Sequence, residues 1–466
     1  MCGFVGFVGK QSKEEKRKII KDMANMIIHR GPDSDGYYID DNVALGFRRL
    51  SIIDLDKGSQ PIYNEDKSMV IVFNGEIYNY KELKEELINK GHKFKTNTDT
   101  EVILHGYEEY KEELFNKLRG MFSFVIYDIK NNTLLGVRDP FGIKPFYYYK
   151  NDKEFMFASE IKGMLVNPNF KKEINDKSLK MYLVFQYSVF EETFFKNVYK
   201  LKPGHYFIYK NNNLEVKEYF DIIYQKEDKP YEEYQKEITK LLEDSIKYHK
   251  VTSDVEVGSY LSGGVDSSYV VAKAKPDKTF SVGFEENGFD ETKLAHDFSD
   301  IMHVKNSSRY ISKEDFFSSL PKVQYYTDEP HANLSTVPLL FLSELAAKDV
   351  KVVLSGEGSD EMFGGYNEYL EPNIVKLYMK LPSFIKKSMA SVSKKLPHFP
   401  GKNTIIKYSK PFCERYIGHA QVMTEEEANS ILTDRLKDNM TTTDVLGPYY
   451  DKVKNEDDIL KKMYID

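Results

Sequence analysis

The stretch Val255-Glu256-Val257-Gly258-Ser259-Tyr260-Leu261-Ser262-Gly263-Gly264-Val265-Asp266-Ser267-Ser268 decides the fold of the second half of this chain. It predicts a strand over Val255–Leu261, a Gly-rich turn, and a helix from Asp266. The same order returns at Val350–Leu354, where a second Gly-rich turn follows a strand. Strands that alternate with helices in this way predict a parallel sheet with helices on both faces.

Both Gly-rich turns lie at the carboxyl ends of predicted strands, where ligands bind in such sheets. In the first turn, Ser262–Ser268, successive backbone N–H groups, hydroxyls and a helix N-terminus form a cradle for an anion. The turn has no Lys, so it is not a Walker loop. Asp266 fits a phosphate site if it holds a metal ion bound to the phosphates. The structural alternative is an ordinary Gly turn with serine caps.

The second turn, Ser355-Gly356-Glu357-Gly358-Ser359-Asp360-Glu361, carries several acidic side chains. Glu357 is suited to act as an acid or base beside an activated carboxylate. The alternative is a solvated loop charge with no chemical role.

A polar stretch, Tyr224–Lys229, ends in Pro230 and predicts a linker. We therefore predict domains over 2–220 and 231–466. The first domain is strand-rich and interrupted by helices, which favours an α+β fold with helices covering antiparallel sheet. Its predicted strands are Ser68–Phe73, Phe122–Asp128, Thr133–Val137, Phe155–Ala158 and His205–Tyr209, and Asn79 is predicted to cap a helix over Lys81–Asn89.

The first domain opens on Met1-Cys2-Gly3. Removal of Met1 places the α-amine of Cys2, with a pKa of about 7.7–8.0, next to the thiol, where it serves as a base without any His. Gly3 is expected to leave room for a ligand beside the thiol. The alternative is that Cys2 is a small apolar residue opening a strand over Phe4–Val8.

Three further segments carry groups suited to a free amino acid with an amide. Arg49 can hold a carboxylate bidentately, and Glu76 and Asp99 can hold an ammonium group. The amide of Asn74 and the N–H of Gly75 can stabilise the oxyanion that forms when a thiolate attacks an amide carbonyl. Each has a structural alternative: an Asn-Gly turn, a surface ion pair for Arg49, and a helix N-cap for Asp99.

Composition excludes several classes of protein. With 466 residues, 41% hydrophobic and 30% charged, the chain has the size and composition of a two-domain globular protein. No apolar run is long enough to cross a bilayer, and the first ten residues do not read as a secretory signal. The two cysteines give no disulfide framework and fit a reduced, cytoplasmic setting. The net charge of −7 argues against a nucleic-acid partner, and no His/Cys cluster has zinc spacing.

Together these motifs resemble the glutamine-dependent asparagine synthetases over nearly the whole chain. The segments that carry the resemblance are Cys2-Gly3, Arg30-Gly31-Pro32-Asp33, Arg49-Leu50-Ser51, Asn74–Asn79, Arg138–Pro145, Ser262–Ser268, Asp328-Glu329-Pro330 and Leu354–Tyr366. The resemblance implies an N-terminal-nucleophile glutaminase domain with an αββα sandwich. It also implies an ATP-pyrophosphatase synthetase domain, a parallel α/β fold like that of the adenine-nucleotide alpha hydrolases.

The resemblance also implies roles for residues. Glutamine is expected to be hydrolysed by Cys2, Asn74 and Gly75. It is expected to be bound by Arg49, Asn74, Gly75, Glu76 and Asp99.

In the second domain, Glu357 is expected to assist the reaction. The residues expected around ATP are Leu261, Ser262, Gly264, Asp266, Ser267, Val282, Ser355 and Gly356. The implied metal is Mg²⁺ with ATP at Asp266 and Asp360, with no organic prosthetic group. Glutamine, aspartate and ATP are the implied substrates, and a homodimer is expected.

The last segment of the sequence leaves alternatives open. Asp458–Asp466 has a helical apolar pattern with no C-terminal Gly cap, whereas members of the family continue beyond such a point. The expected function is amidation of aspartate with glutamine as nitrogen donor. The alternatives are an amidotransferase with another carboxylate acceptor, a glutaminase without coupled synthesis, and a non-catalytic sensor of nucleotide or glutamine.

Overall fold

Two six-stranded antiparallel sheets form the first part of the chain in a computed structural model, which describes residues 2–285, 290–437 and 439–466. The strands are β1 (Gly3–Val8), β2 (Ser34–Ile39), β3 (Val43–Arg49), β4 (Ile62–Tyr63), β5 (Met69–Ile77), β6 (Gly120–Asp128), β7 (Thr133–Arg138), β8 (Tyr147–Lys150), β9 (Phe155–Ala158), β10 (Val198–Lys200), β11 (His205–Lys210) and β12 (Asn213–Glu218). The first sheet has the order β10-β8-β9-β1-β3-β2 and the second β12-β11-β7-β6-β5-β4.

Strand β5 shows why the two sheets stack. Val70 and Val72 belong to the core between the sheets, while Ile71 and Phe73 belong to the core on the opposite face. Alternate residues of a strand point to opposite faces, so an apolar run is buried on both sides. Helices α1 (Lys13–Asn25), α2 (Tyr80–Asn89), α3 (Asp99–Tyr110) and α4 (Leu114–Lys117) cover the outer faces. The predicted αββα sandwich is confirmed.

The strand predictions fall on observed strands, with one difference that matters. The strand predicted to end at Phe73 continues to Ile77 and pairs with β6 along its whole length. Asn74 and Gly75 therefore lie inside a strand, and the alternative of an Asn-Gly turn is wrong. Asn79 precedes α2 but makes no side-chain cap; its amide instead bonds Lys117 O and Arg119 N.

The second part of the chain contains the predicted parallel sheet. Its strands are β13 (Val257–Tyr260), β14 (Lys278–Phe284), β15 (Lys305–Ile311) and β16 (Val352–Leu354), in the order β15-β14-β13-β16, and all neighbours are parallel. Helix α5 (Lys177–Phe185) precedes this region, and its own helices are α6 (Tyr231–Val251), α7 (Val265–Ala274), α8 (Thr292–Ile301), α9 (Lys313–Thr327) and α10 (Thr336–Ala346).

The order of these four strands creates a switch point. From β13 the chain moves outward through β14 to β15, then crosses back to place β16 on the other side of β13. Connections on the two sides of β13 diverge there, and in sheets of this kind ligands bind outside the carboxyl ends of the strands at such a point. The Gly-rich turns follow β13 and β16, so they are the turns that lie at the switch point.

The chain divides into two compact units: Met1–Asn175 with Glu191–Gly356, and Asp176–Phe190 with Glu357–Asp466. The first unit contains all three sheets. The second is helical and includes α5, α11 (Ser359–Phe363), α12 (Asn373–Met379), α13 (Ser383–Lys395), α14 (Lys402–Tyr408), α15 (Phe412–Arg415), α16 (Glu425–Ile431), α17 (Thr442–Lys452) and α18 (Asp458–Ile465). The helix predicted at the end of the sequence is α18. The domain limits 2–220 and 231–466 remain a prediction.

Candidate active sites

Cys2 lies immediately before β1, with its thiol against the end of β3. Its Sγ accepts a hydrogen bond from Leu50 N at 3.4 Å and lies 3.5 Å from Leu50 O. Burial raises the pKa of the thiol; the bond from Leu50 opposes this shift, and the charges of Glu76 and Asp99 add to it. The thiol is therefore protonated at neutral pH and must lose its proton as it attacks. The expected removal of Met1 concerns a residue outside the described ones.

The backbone of Cys2 is held by Arg30, whose Nε donates to Cys2 O at 2.9 Å. A Cβ on Gly3 would lie 3.0 Å from Arg30 Cδ and from Ile27 Cδ1. The space predicted for a ligand beside Gly3 is therefore filled by these two side chains. Glycine is required here because Arg30 passes close to the backbone, not because a ligand does.

Asn74 is 1% exposed, yet neither its Oδ1 nor its Nδ2 has a hydrogen-bond partner in the part of the chain that the structure describes. Leaving a buried amide unpaired costs about 1–3 kcal/mol, so such a group usually serves a ligand. Gly75 follows on the same strand. A Cβ there would lie 2.3 Å from Met121 O, so glycine lets β5 approach β6 at this point.

Glu76 and Asp99 form a buried pair of carboxyl groups. Burial raises the pKa of Glu76 well above its usual range and that of Asp99 as well, and the negative charge of Asp99 raises that of Glu76 further. Asp99 accepts a hydrogen bond from Ile77 N at 2.9 Å. It is the first residue of α3, which Thr98 precedes as N-cap, so the N-cap alternative for Asp99 is wrong. Two buried carboxyl groups that repel each other favour a cationic ligand.

Arg49 is 6% exposed and donates to three backbone carbonyls, those of Ile53, Asp54 and Leu55, at 2.7–3.2 Å. The alternative of a surface ion pair is therefore wrong. Arg49 shapes the turn that follows β3, and a Cβ on Gly58 would lie 2.3 Å from its Nη2. The remaining guanidinium N–H groups are what a carboxylate ligand would use.

Lys144 was not predicted to have a role, although it lies in the quoted segment Arg138–Pro145. It is 4% exposed, and burial together with the charge of Arg30 lowers its pKa to about 8, while Glu76 and Cys2 act in the opposite direction. Asp139 fixes this loop: its carboxylate accepts bonds from Phe141 N, Ile143 N and Lys144 N. The signal available in the sequence was the Arg138-Asp139-Pro140 turn, in which the acidic residue is suited to hold the loop that carries Lys144.

A chain of buried charges was also missed. Glu160 accepts from Arg30 Nη1 at 2.8 Å, contacts His29 Nε2 at 2.9 Å and pairs with Lys162, which in turn lies 2.9 Å from Asp328 Oδ1. Asp328 Oδ2 accepts from Ile161 N at 2.7 Å. This network links the support of Cys2 to the quoted segment Asp328-Glu329-Pro330. Residues so far apart in sequence give no local signal of their pairing.

The Gly-rich turn after β13 has the predicted strand–turn–helix form. Gly263 has φ of +84°, and a Cβ there would lie 2.6 Å from Leu294 Cβ, so glycine is required for both reasons. Ser262 Oγ and Ser267 Oγ lie 3.0 Å apart, and Gly264 N donates to Ser262 Oγ at 3.2 Å. These bonds hold the turn open at the N-terminus of α7, where an anion is favoured.

The Gly-rich turn after β16 packs against the Gly-rich turn after β13. A Cβ on Gly356 would lie 2.9 Å from Asp266 Cβ and 3.0 Å from Ser267 N. Leu261 is buried at the end of β13, and Ser281 on the neighbouring β14 donates to its carbonyl at 2.6 Å. The predicted ATP-binding residues in the first unit thus fall at the carboxyl ends of β13, β14 and β16. Glu357 and Asp360 belong to the second unit, and their place around ATP stays a prediction.

The sequence has no His/Cys cluster with zinc spacing, but two histidines and two carboxylates that are apart in sequence meet in the fold. Glu65, His92, His105 and Glu108 each present a ligand atom, and these atoms lie within 4.8 Å of one another. The residues come from three separate elements, so no motif in the sequence shows the cluster. Both cysteines are free. No helix among the described residues is long and apolar enough to span a membrane.

Known protein families match both halves of the chain. Two family models match, one described as a glutamine amidotransferase domain over residues 1–220 and one described as asparagine synthase over residues 237–465. The chain is 42% identical over its whole length to asparagine synthetase [glutamine-hydrolyzing] 1 of Bacillus subtilis, of which it covers 75%.

Two further relatives agree. A putative glutamine-hydrolysing asparagine synthetase of Mycobacterium bovis is 36% identical over 100% of this chain and 76% of its own. A second putative enzyme, from Methanocaldococcus jannaschii, is 36% identical over 85% of this chain and 81% of its own. With this identity and coverage, the chain belongs to the family of glutamine-hydrolysing asparagine synthetases.

Proposed function

We propose that this chain hydrolyses glutamine at Cys2 and uses the ammonia to convert aspartate to asparagine, with ATP cleaved to AMP and pyrophosphate. The observation that carries the first half is the buried amide of Asn74, which has no partner among the described residues, in a site that also holds the thiol of Cys2 and the carboxyl groups of Glu76 and Asp99. The anion cradle at the switch point of the parallel sheet supports the second half.

In the first reaction, Cys2 Sγ attacks the side-chain carbonyl carbon of glutamine, and the thiol proton passes to the α-amine that Met1 removal frees on Cys2. The carbonyl oxygen becomes an oxyanion that the Asn74 amide and the Gly75 N–H stabilise. The C–N bond then breaks, ammonia leaves with a proton, and a thioester remains. Water hydrolyses the thioester to glutamate and restores the thiol.

Glutamine is held by charges at its other end. Glu76 and Asp99 accept hydrogen bonds from its ammonium group. Arg49 binds the carboxylate through the guanidinium N–H groups that do not donate to the carbonyls of residues 53–55. Because the two carboxyl groups are buried and close, the ammonium replaces a proton that they otherwise retain. Binding of glutamine is therefore expected to release protons.

In the second reaction, the β-carboxylate of aspartate attacks the α-phosphate of ATP, which forms an acyl-adenylate and releases pyrophosphate. Ammonia then attacks the acyl carbon, and AMP leaves. Ser262, Gly264, Ser267, Ser355 and Gly356 are proposed to contact the nucleotide phosphates, with Leu261 and Val282 beside the rest of the nucleotide. Glu357 is proposed to take the proton from the attacking ammonia.

Mg²⁺ fits this cradle on its donor chemistry. Asp266 is exposed in the first turn of α7, and its carboxylate makes no hydrogen bond or ion pair within the described residues. A hard oxygen ligand at a phosphate site that lacks a Lys suits Mg²⁺, which would neutralise phosphate charge there. Asp266 and Asp360 are the proposed ligands.

The proposal is tested by pyrophosphate release from Mg-ATP with aspartate, first with glutamine and then with ammonium as nitrogen source. Cys2→Ala should abolish glutamine-dependent synthesis and leave ammonia-dependent synthesis intact. Asp266→Asn should leave glutamate formation from glutamine intact and abolish pyrophosphate release.

Three results would contradict parts of this account. Glutamate formation without aspartate-dependent pyrophosphate release indicates a glutaminase alone or another carboxylate acceptor, which a panel of carboxylates separates. Loss of both activities in Cys2→Ala rules out separable sites. Full glutamine-dependent activity in Cys2→Ala rules out Cys2 as the nucleophile.

Two finer expectations accompany this function. We propose a homodimer, which sedimentation of the full chain would test, and a cytoplasmic location, which fits the two free cysteines.

A further inference from the structure

A cluster of histidines and carboxylates lies away from both proposed active sites. Glu65 comes from the turn between β4 and β5, His92 from the loop after α2, and His105 and Glu108 from α3 at i and i+3. His105 is 0% exposed, and the other three are partly exposed. The cluster is therefore held by the fold on one side and open to an entering ion on the other.

The spacing of these atoms suits a tetrahedral ion. His105 Nδ1 lies 3.2 Å from Glu65 Oε2 and 3.1 Å from Glu108 Oε2, and His92 Nδ1 lies 3.4 Å from Glu65 Oε1. Bonds of about 2.0–2.2 Å from Zn²⁺ to N and O ligands place neighbouring ligand atoms about 3.3–3.6 Å apart in a tetrahedron. All four ligand atoms lie within 4.8 Å of one another, so the longest separations must shorten by up to about 1.5 Å for the four to share one ion.

Each histidine turns its other ring nitrogen to an outer carboxylate. His105 Nε2 lies 3.5 Å from Glu101 Oε1, and His92 Nε2 lies 3.7 Å from Glu109 Oε2. A histidine that binds a metal commonly donates its second N–H to a carboxylate, which fixes its tautomer. Glu101 is itself fixed, because it accepts from Lys95 N and Thr96 N.

The carboxylate ligands also have outer partners. Asn64 Nδ2 donates to Glu108 Oε1 at 2.7 Å, and Lys93 N donates to Glu65 Oε1 at 3.0 Å. These bonds leave Glu108 Oε2 directed at His105. Four carboxylates surround the two imidazoles, and Lys90 pairs with only one of them, Glu109, at 2.7 Å. The negative charge that remains favours a cation among these side chains.

We propose that Glu65, His92, His105 and Glu108 bind one Zn²⁺ ion, which ties the β4–β5 turn and the loop after α2 to helix α3. Four protein ligands close the coordination shell, as in structural zinc sites. The role is therefore structural. The ion takes no part in the proposed reactions. Because α3 begins at Asp99, the ion would also stabilise the helix that supplies one side of the proposed glutamine site.

The test uses the full chain, stripped with a chelator and then given one equivalent of ZnCl₂ before dialysis and metal analysis. The chain should retain about one Zn²⁺, and its thermal midpoint should rise by about 5–10 °C at a hundredfold excess of zinc over Kd. His92→Gln and Glu108→Gln should lose that equivalent and the rise. His296→Gln is the control, because the side chain of His296 is 67% exposed and pairs with Asp300 on its own helix, away from the four proposed ligands.

Cobalt provides a second measurement on the unaltered chain. Co²⁺ at this site should give the strong visible bands of a tetrahedral complex, and zinc should abolish them. The proposal is overturned if the stripped chain retains no zinc and its midpoint does not move, since the histidines are then imidazolium ions held by the carboxylates. It is also overturned if His92→Gln and Glu108→Gln retain as much zinc as His296→Gln.

Discussion

Replacing Asn74 by Ala should separate activity from stability. In the proposed mechanism, Asn74 supplies one donor to the oxyanion. Loss of one such donor lowers kcat by about 10²–10³-fold, or about 2.7–4 kcal/mol of transition-state stabilisation. Glutamate formation should fall by that factor, while ammonia-dependent synthesis should be unchanged because it bypasses the site.

The expected stability follows from the absence of partners for this amide among the described residues. Removing an unpaired buried amide relieves about 1–3 kcal/mol. The void that remains, of about 40 Å³, costs about 1 kcal/mol at about 24 cal/mol per Å³. The free energy of unfolding should therefore stay constant or rise by up to about 2 kcal/mol.

Asn79→Ala is the matched control. It makes the same substitution five residues later, where Nδ2 donates to Lys117 O and Oδ1 accepts from Arg119 N, both at 2.9 Å. Losing these bonds should cost about 2 kcal/mol with little effect on glutamate formation. Urea unfolding and a glutamate assay measure both quantities. The reasoning is refuted if Asn74→Ala is destabilised as much as Asn79→Ala, or if it hydrolyses glutamine at the normal rate.

The remaining predictions concern buried charges. Glu160→Gln leaves the buried Arg30 without its carboxylate partner and Lys162 with Asp328 alone, and it should lower the free energy of unfolding by about 3–5 kcal/mol. Glu173→Gln, which breaks an exposed pair, should change it by less than about 1 kcal/mol. Equal effects would contradict the network. Burial raises the pKa of Asp99 to about 7. The folded state then binds more protons than the unfolded state between about pH 4 and 7, so the free energy of unfolding should fall as pH rises through that window. Urea unfolding across the window should show a flatter slope for Asp99→Asn, and an equally steep slope would contradict the assignment.

Local pattern was sufficient for much of the fold. The strand, Gly-rich turn and helix around Ser262–Ser268 are set by neighbours in sequence, because hydrogen-bonding periodicity and the φ of Gly263 are local properties. The strand and helix patterns also predicted a first domain with helices over antiparallel sheet, and the αββα layers followed from the family resemblance. Local rules failed at Asn74-Gly75, where pairing with β6 extends a strand through a dipeptide that otherwise favours a turn.

The sequence by itself determined which chemical groups this protein carries, in what order, and on which kinds of element. Only the tertiary structure decided which of them are buried, paired or unpaired. Arg49 is committed to a turn, Asn74 lacks a partner among the described residues, and His92 meets His105 across two elements. The physical reason is that desolvation and charge pairing depend on atoms brought together from distant parts of the chain, which no window of sequence contains.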